Sequence, residues 1–114
     1  MSIPFTLNLI QGSVAFRFTP EAANALKADI AVLMESMKAI AGNANSGSRP
    51  EQKQSMEYQH TGDVFLEIFC NPNIYPSPFA AKVLVTLRDD RIRLTSEAEL
   101  PRLMEDLDNY LAQT

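Results

Sequence analysis

The sequence predicts an α+β domain with a single antiparallel sheet of five to six strands and two helices packed on one face of the sheet, in the order ββ-α-ββ-ββ-α. Six short segments alternate apolar and polar residues, and tight turns join most of them, as in antiparallel hairpins. Two longer segments instead repeat apolar residues every three or four positions, which is typical of amphipathic helices. The 114 residues fit one domain, 1–114, because chains usually divide only beyond roughly 250 residues.

The first two strands are predicted to form a hairpin. Residues 3–10 and 14–18 each alternate apolar and polar side chains. The turn between them contains Gly12, which can supply a positive φ.

A helix is predicted to follow, beginning at Thr19 and Pro20. A threonine hydroxyl can accept a hydrogen bond from a free N–H of the first turn, and proline suits the first helical position because no donor is needed there. Apolar side chains then recur every three or four residues over 22–40, so one face of the helix is expected to be buried. We expect the helix to end near Gly42.

The segment 42–54 contains no large apolar side chain. Such a segment cannot bury enough surface to offset the entropy lost on ordering, so a mobile loop is predicted there. The loop links two halves of one domain, since neither half is long enough to fold alone.

Four strands are predicted in the second half of the chain. The alternation covers residues 56–60, 64–70, 81–88 and 91–94. Tight turns join the first to the second and the third to the fourth, which predicts two more hairpins. Between these hairpins, the prolines of 71–79 remove backbone donors and interrupt strand pairing.

The last element is a predicted helix with an apolar stripe over 100–111. Ser96 and Glu99 match a capping box, whereas Pro101 would remove a hydrogen bond from the second turn of a helix that began there. A short helical turn at 96–100, followed by the main helix from Pro101, reconciles the two signals.

Charge and composition narrow the classes of partner and compartment. The chain has 14 acidic and 10 basic residues, a net charge of −4 and no run of Lys or Arg, so nucleic acids and anionic membranes are not expected partners. No stretch approaches the roughly 20 apolar residues of a membrane helix, and the first residues do not resemble a secretory signal. The single cysteine, Cys70, cannot form an intramolecular disulfide, which predicts a cytoplasmic location.

The sequence contains none of the motifs of familiar enzyme classes. It has no phosphate-binding loop, dinucleotide fingerprint, nucleophile elbow or C-x-x-C pair, so we assign no catalytic residue, cofactor or metal ligand and favour a non-enzymatic role. The alternative is a pocket formed by Tyr58, His60 and Asp63, in which the only histidine acts beside a carboxylate. Cys70 is expected to be a core residue, because no nearby cation would activate its thiol.

The main functional signal is the outer face, the face of the predicted sheet turned away from the helices, which carries Phe65, Phe69 and Leu84. A sheet with solvent behind it is expected to alternate more cleanly, so large apolar groups on both faces indicate that something covers the outer face. A second copy that stacks its own sheet is one such cover. The first strand or the 71–79 connection, folded over the face, is the other.

A second candidate surface is the proline-rich 71–79 connection. It displays Ile74, Tyr75 and Phe79, and tyrosine is enriched in binding hot spots. The connection either recognises a partner or covers the core. Three arginines beside two aspartates are candidates to bind an acidic partner segment or to pair with neighbouring carboxylates: Arg88, Arg91 and Arg93.

Three stretches of the second half, Asp63–Asn73, Val83–Thr95 and Leu100–Leu111, resemble small uncharacterised proteins of cyanobacteria. The resemblance implies a cytoplasmic bacterial protein. It brings no activity, cofactor or functional residue with it.

These observations lead to three functional hypotheses. The first is a non-enzymatic protein-interaction or regulatory module, a homodimer that uses the outer face and the 71–79 connection. The second is a small-molecule-binding protein or enzyme with a pocket between sheet and helices near His60. The third is a subunit or assembly factor of a larger complex.

Overall fold

The computed structural model describes residues 3–45 and 53–114. The α+β class and the predicted order of elements are confirmed. The elements are β1 (Pro4–Asn8), β2 (Ser13–Arg17), α1 (Pro20–Asn45), β3 (Met56–Thr61), β4 (Phe65–Cys70), β5 (Lys82–Arg88), β6 (Arg93–Glu99) and α2 (Leu100–Ala112). Two 3₁₀ turns, Pro72–Ile74 and Pro78–Ala80, occupy the proline-rich connection between β4 and β5, where strand pairing was predicted to stop.

The prediction of a single sheet of five to six strands is wrong, because the described strands form two antiparallel sheets. β1 pairs only with β2, whereas β3, β4, β5 and β6 form a four-stranded meander in that order. The first hairpin meets the meander through one backbone hydrogen bond, from Ile10 N–H to the Glu97 carbonyl at 2.9 Å. The hairpin instead buries Phe5 and Leu7 completely and packs on α2, and burial against that helix replaces extension of the larger sheet.

Hydrogen bonds to α2 fix the position of the first hairpin. The carboxylate of Asp106, which is itself buried, accepts from the backbone N–H of Asn8 and from its side-chain amide, both at 2.8 Å. Arg102 lies one helical turn away, with its Nε 3.4 Å from the same carboxylate. The buried charge is therefore satisfied by donors on two elements, as a buried carboxylate requires.

The start of α1 agrees with the predicted capping, and its end does not. The Thr19 hydroxyl accepts from the backbone N–H of Ala22 at 3.1 Å. The helix continues three residues beyond the expected end at Gly42, to Asn45. The predicted mobile loop at 42–54 therefore begins within the helix. Its central part lies outside the described residues, so its mobility stays a prediction.

The second helix begins without the predicted capping box of Ser96 and Glu99. β6 pairs with β5 along its whole length to Glu99, and α2 begins at Leu100, so the helical turn expected at 96–100 is wrong. Pairing with β5 satisfies the backbone hydrogen bonds of this segment, whereas a single isolated helical turn is costly to nucleate. Pro101 then falls in the first turn, where no donor is required.

The core lies between the inner face of the meander and the layer formed by the two helices and the first hairpin. Four side chains of the central strands have no exposed surface: Leu66, Ile68, Val83 and Val85. The rings of Phe5, Phe16, Phe18 and Tyr110 form an aromatic cluster with centroids 5.3 to 6.1 Å apart. Within the described part of the chain, no helix is both long and apolar enough to cross a membrane.

Candidate interaction surfaces

No element that the structure describes packs on the outer face of the meander. β1 packs on α2, the first 3₁₀ turn packs on α1 and the second packs on α2. The first strand and the proline-rich connection, the two internal covers considered from the sequence, therefore both lie on the helix side. Neither of them shields the outer face from solvent.

The three apolar residues predicted for the outer face are there. Leu84 is 43% exposed, and Phe65 and Phe69 are half-buried by their neighbours on adjacent strands. The Arg88 guanidinium lies over the Phe65 ring, 4.4 Å from its centroid, which is a cation–π contact. The outer face thus mixes large apolar side chains with polar and charged ones.

Charge is distributed unevenly along the outer face. Strand register places its side chains in four rows: Thr61, Phe65, Arg88, Arg93; then Gln59, Glu67, Thr86, Thr95; then Glu57, Phe69, Leu84, Glu97; and last Lys82 and Glu99, on β5 and β6 alone. The first row holds only cationic charges and the third only carboxylates. In the middle row between them, the Gln59 amide donates to the Glu67 carboxylate at 2.8 Å.

The remaining predicted partner residues do not join the outer face. In the proline-rich connection, Ile74 is 66% and Phe79 85% exposed, and Tyr75 is half-buried, with its pKa raised mainly by burial. Arg91 lies exposed in the β5–β6 turn. There the Asp89 carboxylate accepts from the backbone N–H groups of two turn residues, which lowers the pKa of Asp89. The predicted partner residues therefore lie on separate surfaces of the protein.

An apolar groove that sequence reasoning missed lies between α1, α2 and the second 3₁₀ turn. We call it the helix groove; its volume is about 390 Å³. Its lining residues are Met34, Pro78, Phe79, Leu100, Pro101, Met104, Glu105, Asp108 and Asn109. The only sequence signal for it was Phe79, an aromatic residue in a connection that neither strand nor helix periodicity explains.

The alternative pocket holds two of its three predicted residues. His60 and Asp63 line a cavity of about 280 Å³ with Arg17, whose guanidinium pairs with the Asp63 carboxylate at 3.4 Å. The His60 ring packs edge-on against Phe18 at 5.3 Å. Tyr58 points into the core instead.

The Tyr58 hydroxyl donates to the Ala22 carbonyl at 3.1 Å, and burial, reinforced by Asp29, raises the pKa of Tyr58 to about 12. The carboxylate that lines this cavity with His60 thus pairs with an arginine at the surface, and the Tyr58 phenol donates to a backbone carbonyl in the core.

Cys70 ends β4 on the inner face and is buried, as predicted. Burial raises the pKa of its thiol to about 11, which keeps the side chain neutral and poorly nucleophilic. Among the residues that the structure describes, no group of three or more His, Cys, Asp or Glu side chains could hold a metal ion.

Comparisons of the chain with protein-family models, curated proteins and solved structures found no match. The resemblance to cyanobacterial proteins therefore stays a prediction.

Proposed function

We propose that this protein is a non-enzymatic interaction module that forms a homodimer by stacking the outer faces of two copies. The observation that carries the proposal is a sheet face, uncovered by the described residues, on which Phe65 lies in a row with arginines and Phe69 and Leu84 lie in a row with glutamates. Sheets that stack face to face bury such side chains in a layer about 10 Å thick. The buried lone cysteine of β4 suits a reducing cytoplasm as the place where this module works.

The charge pattern of the outer face favours one arrangement of the two copies. A two-fold axis that lies in the interface, across the strands and over the middle row, sets the arginine row of each copy against the glutamate row of the other. Arg93 then faces Glu97, and Phe65 faces Phe69 of the second copy. An axis along the strands, midway between β4 and β5, would instead set Glu57 against Glu97 of the second copy, which is repulsive.

The size of the face predicts a weak dimer. Strands of six to seven residues spaced about 4.8 Å apart give a four-stranded face of roughly 400 Å² in projection. A standard interface buries about 800 Å² of accessible surface per partner. We therefore expect a dissociation constant of the order of micromolar.

Substitution of Phe69 tests the stacking. Phe69→Asp puts a third carboxylate in the row of Glu57 and Glu97 and removes the ring that faces Phe65 of the second copy, so we expect a folded monomer. Light scattering after size-exclusion chromatography and circular dichroism would report mass and fold. Val32→Asp is the matched control, because Val32 is an exposed apolar residue of α1, away from the outer face, and its variant should stay dimeric.

A monomeric wild-type protein at about 500 µM, far above a micromolar dissociation constant, would overturn the proposal. A dimer that survives Phe69→Asp would also overturn it.

The arrangement makes one further demand, on Glu67. This half-buried carboxylate of the middle row lies near the axis, where it faces Glu67 of the second copy. Removing the like charge with Glu67→Gln should tighten the dimer about tenfold, whereas Glu57→Gln, which lies away from the axis, should not. Equal dissociation constants for wild type and Glu67→Gln would rule out this axis.

A further inference from the structure

We propose that the helix groove binds a positively charged amphipathic helix of another protein. The inference names a partner chemistry for the interaction module, and so rests on the proposed function, but it uses residues that lie apart from the outer face.

The floor and walls of the helix groove are apolar and adaptable. Met34 of α1 and Met104 of α2 contribute flexible thioether side chains, which pack against ligands of irregular shape. Phe79 stands at the rim with 85% of its surface exposed, the largest fraction for any large apolar residue in the described chain. An aromatic ring so placed offers an anchor for an apolar side chain at low entropic cost.

The charge at the rim selects the partner. Glu105 and Asp108 lie one helical turn apart on α2, and the described residues that line the groove include no Lys or Arg. Arg102 Nη1 is 3.9 Å from Glu105 and Lys27 Nζ is 2.7 Å from Asp108, both in largely exposed pairs. Exposed pairs are worth less than about 1 kcal/mol, so lysines of a bound helix can join or replace these cations.

The acidic rim also argues against other occupants. A second copy docked symmetrically on the groove would bring its own Glu105 and Asp108 against these two carboxylates. Anionic lipid would meet the same repulsion. An amphipathic helix with apolar residues at helical spacing and lysines beside them satisfies both the apolar walls and the rim.

Fluorescence anisotropy with a synthetic peptide tests the inference. The probe is a capped, labelled helical peptide of leucines spaced three and four residues apart with lysines between them, and its matched control carries glutamate in place of lysine. We expect the lysine peptide to bind at least about tenfold more tightly than the glutamate peptide, and its affinity to fall with added salt.

Variants of the groove then locate the binding. Phe79→Ser should lower the affinity for the lysine peptide about tenfold or more. Ile74→Ser, in the same connection but outside the groove, should leave that affinity unchanged. The double variant Glu105→Gln and Asp108→Asn should abolish the preference for lysine over glutamate. No binding, equal binding of the two peptides, or binding insensitive to Phe79→Ser overturns the inference.

The two proposals fail separately. The monomer expected from Phe69→Asp should still bind the lysine peptide, since Phe69 does not line the groove. Phe79→Ser should still dimerise through the outer face. If Phe79→Ser instead abolishes the dimer, the groove is occupied by a second copy and the peptide inference is wrong.

Discussion

The two faces of the four-stranded meander carry large apolar side chains, and the described elements cover only one of them. On the inner face, the helices and the first hairpin leave Leu66 and Val85 with no exposed surface. On the outer face, Leu84 stays 43% exposed although it belongs to the same strand as Val85. Neighbouring residues of one strand thus have opposite environments.

Apolar alternation therefore identifies the two faces of a sheet but does not say what lies against each of them. The inner face is covered because α1 and α2 carry apolar stripes that need the same burial. The outer face has no such counterpart in the described chain, and its rows mix Phe and Leu with Glu, Thr and Arg. That mixture is closer to the composition of an interface between molecules than to a core.

Truncating an inner-face leucine should produce the largest loss of stability. Leu66→Ala removes a completely buried side chain between β3 and β5 and leaves a cavity, so we expect the free energy of unfolding to fall by about 2–5 kcal/mol. Urea denaturation followed by circular dichroism measures it. A loss under about 1 kcal/mol would mean that the inner face is not the rigid core described above.

The inner face should also protect the thiol of Cys70. Because its pKa is raised from 9.0 to about 11, the thiolate fraction near neutral pH falls about a hundredfold, and burial slows attack further. Labelling of native protein by a disulfide reagent should be at least about 100-fold slower than labelling of Leu84→Cys in a Cys70→Ala background. Rates that agree within tenfold would contradict the burial of β4.

Loss of the Tyr58 hydroxyl should have a smaller effect, and a characteristic pH dependence. Tyr58→Phe removes the hydrogen bond to Ala22 and should cost about 1 kcal/mol near neutral pH. In the wild type the unfolded phenol ionises near pH 10 and the folded one near 12, so the stability held below pH 10 is lost as the pH rises towards 12.

Subtracting the Tyr58→Phe curve from the wild-type curve isolates this residue, because Cys70, Tyr75 and Tyr110, whose pKa values are also raised, are present in both proteins. The difference should change by up to about 1.4 kcal/mol per pH unit between pH 10 and 12. A flat difference would show that the phenol is not protected from solvent.

The local signals of the sequence were sufficient for the elements and insufficient for their assembly. Alternation and capping located the hairpins and the start of α1 at Thr19 because these depend on neighbouring residues. The separation of the strands into two sheets follows from packing of the first hairpin on α2, where hydrogen bonds join Asp106 to Asn8, residues far apart in sequence. No pattern within one element reports such a pairing. The capping box at Ser96 failed for the same reason, since pairing with β5 overrode it.

The candidate surfaces divide in the same way. The alternation of side chains along β4 and β5 was enough to place Phe65, Phe69 and Leu84 together on the outer face. The helix groove joins α1, α2 and the second 3₁₀ turn, elements whose mutual placement no periodicity encodes. Tyr58 was grouped with His60 because the two residues share a face of β3, yet its hydroxyl bonds to α1, a partner visible only in three dimensions.

Truncation of the outer-face leucine should cause the smallest loss in the free energy of unfolding. This loss should also depend on protein concentration. Leu84→Ala removes a side chain that is already 43% exposed, so a dilute sample should lose about 1 kcal/mol or less, in contrast to its inner-face counterpart Leu66→Ala. If two copies stack, the wild type gains stability with concentration and the variant gains less, so their difference should widen between about 1 and 100 µM. A loss above about 2 kcal/mol in the dilute sample would mean that the face is covered within one chain. A difference independent of concentration would mean that no second copy covers it.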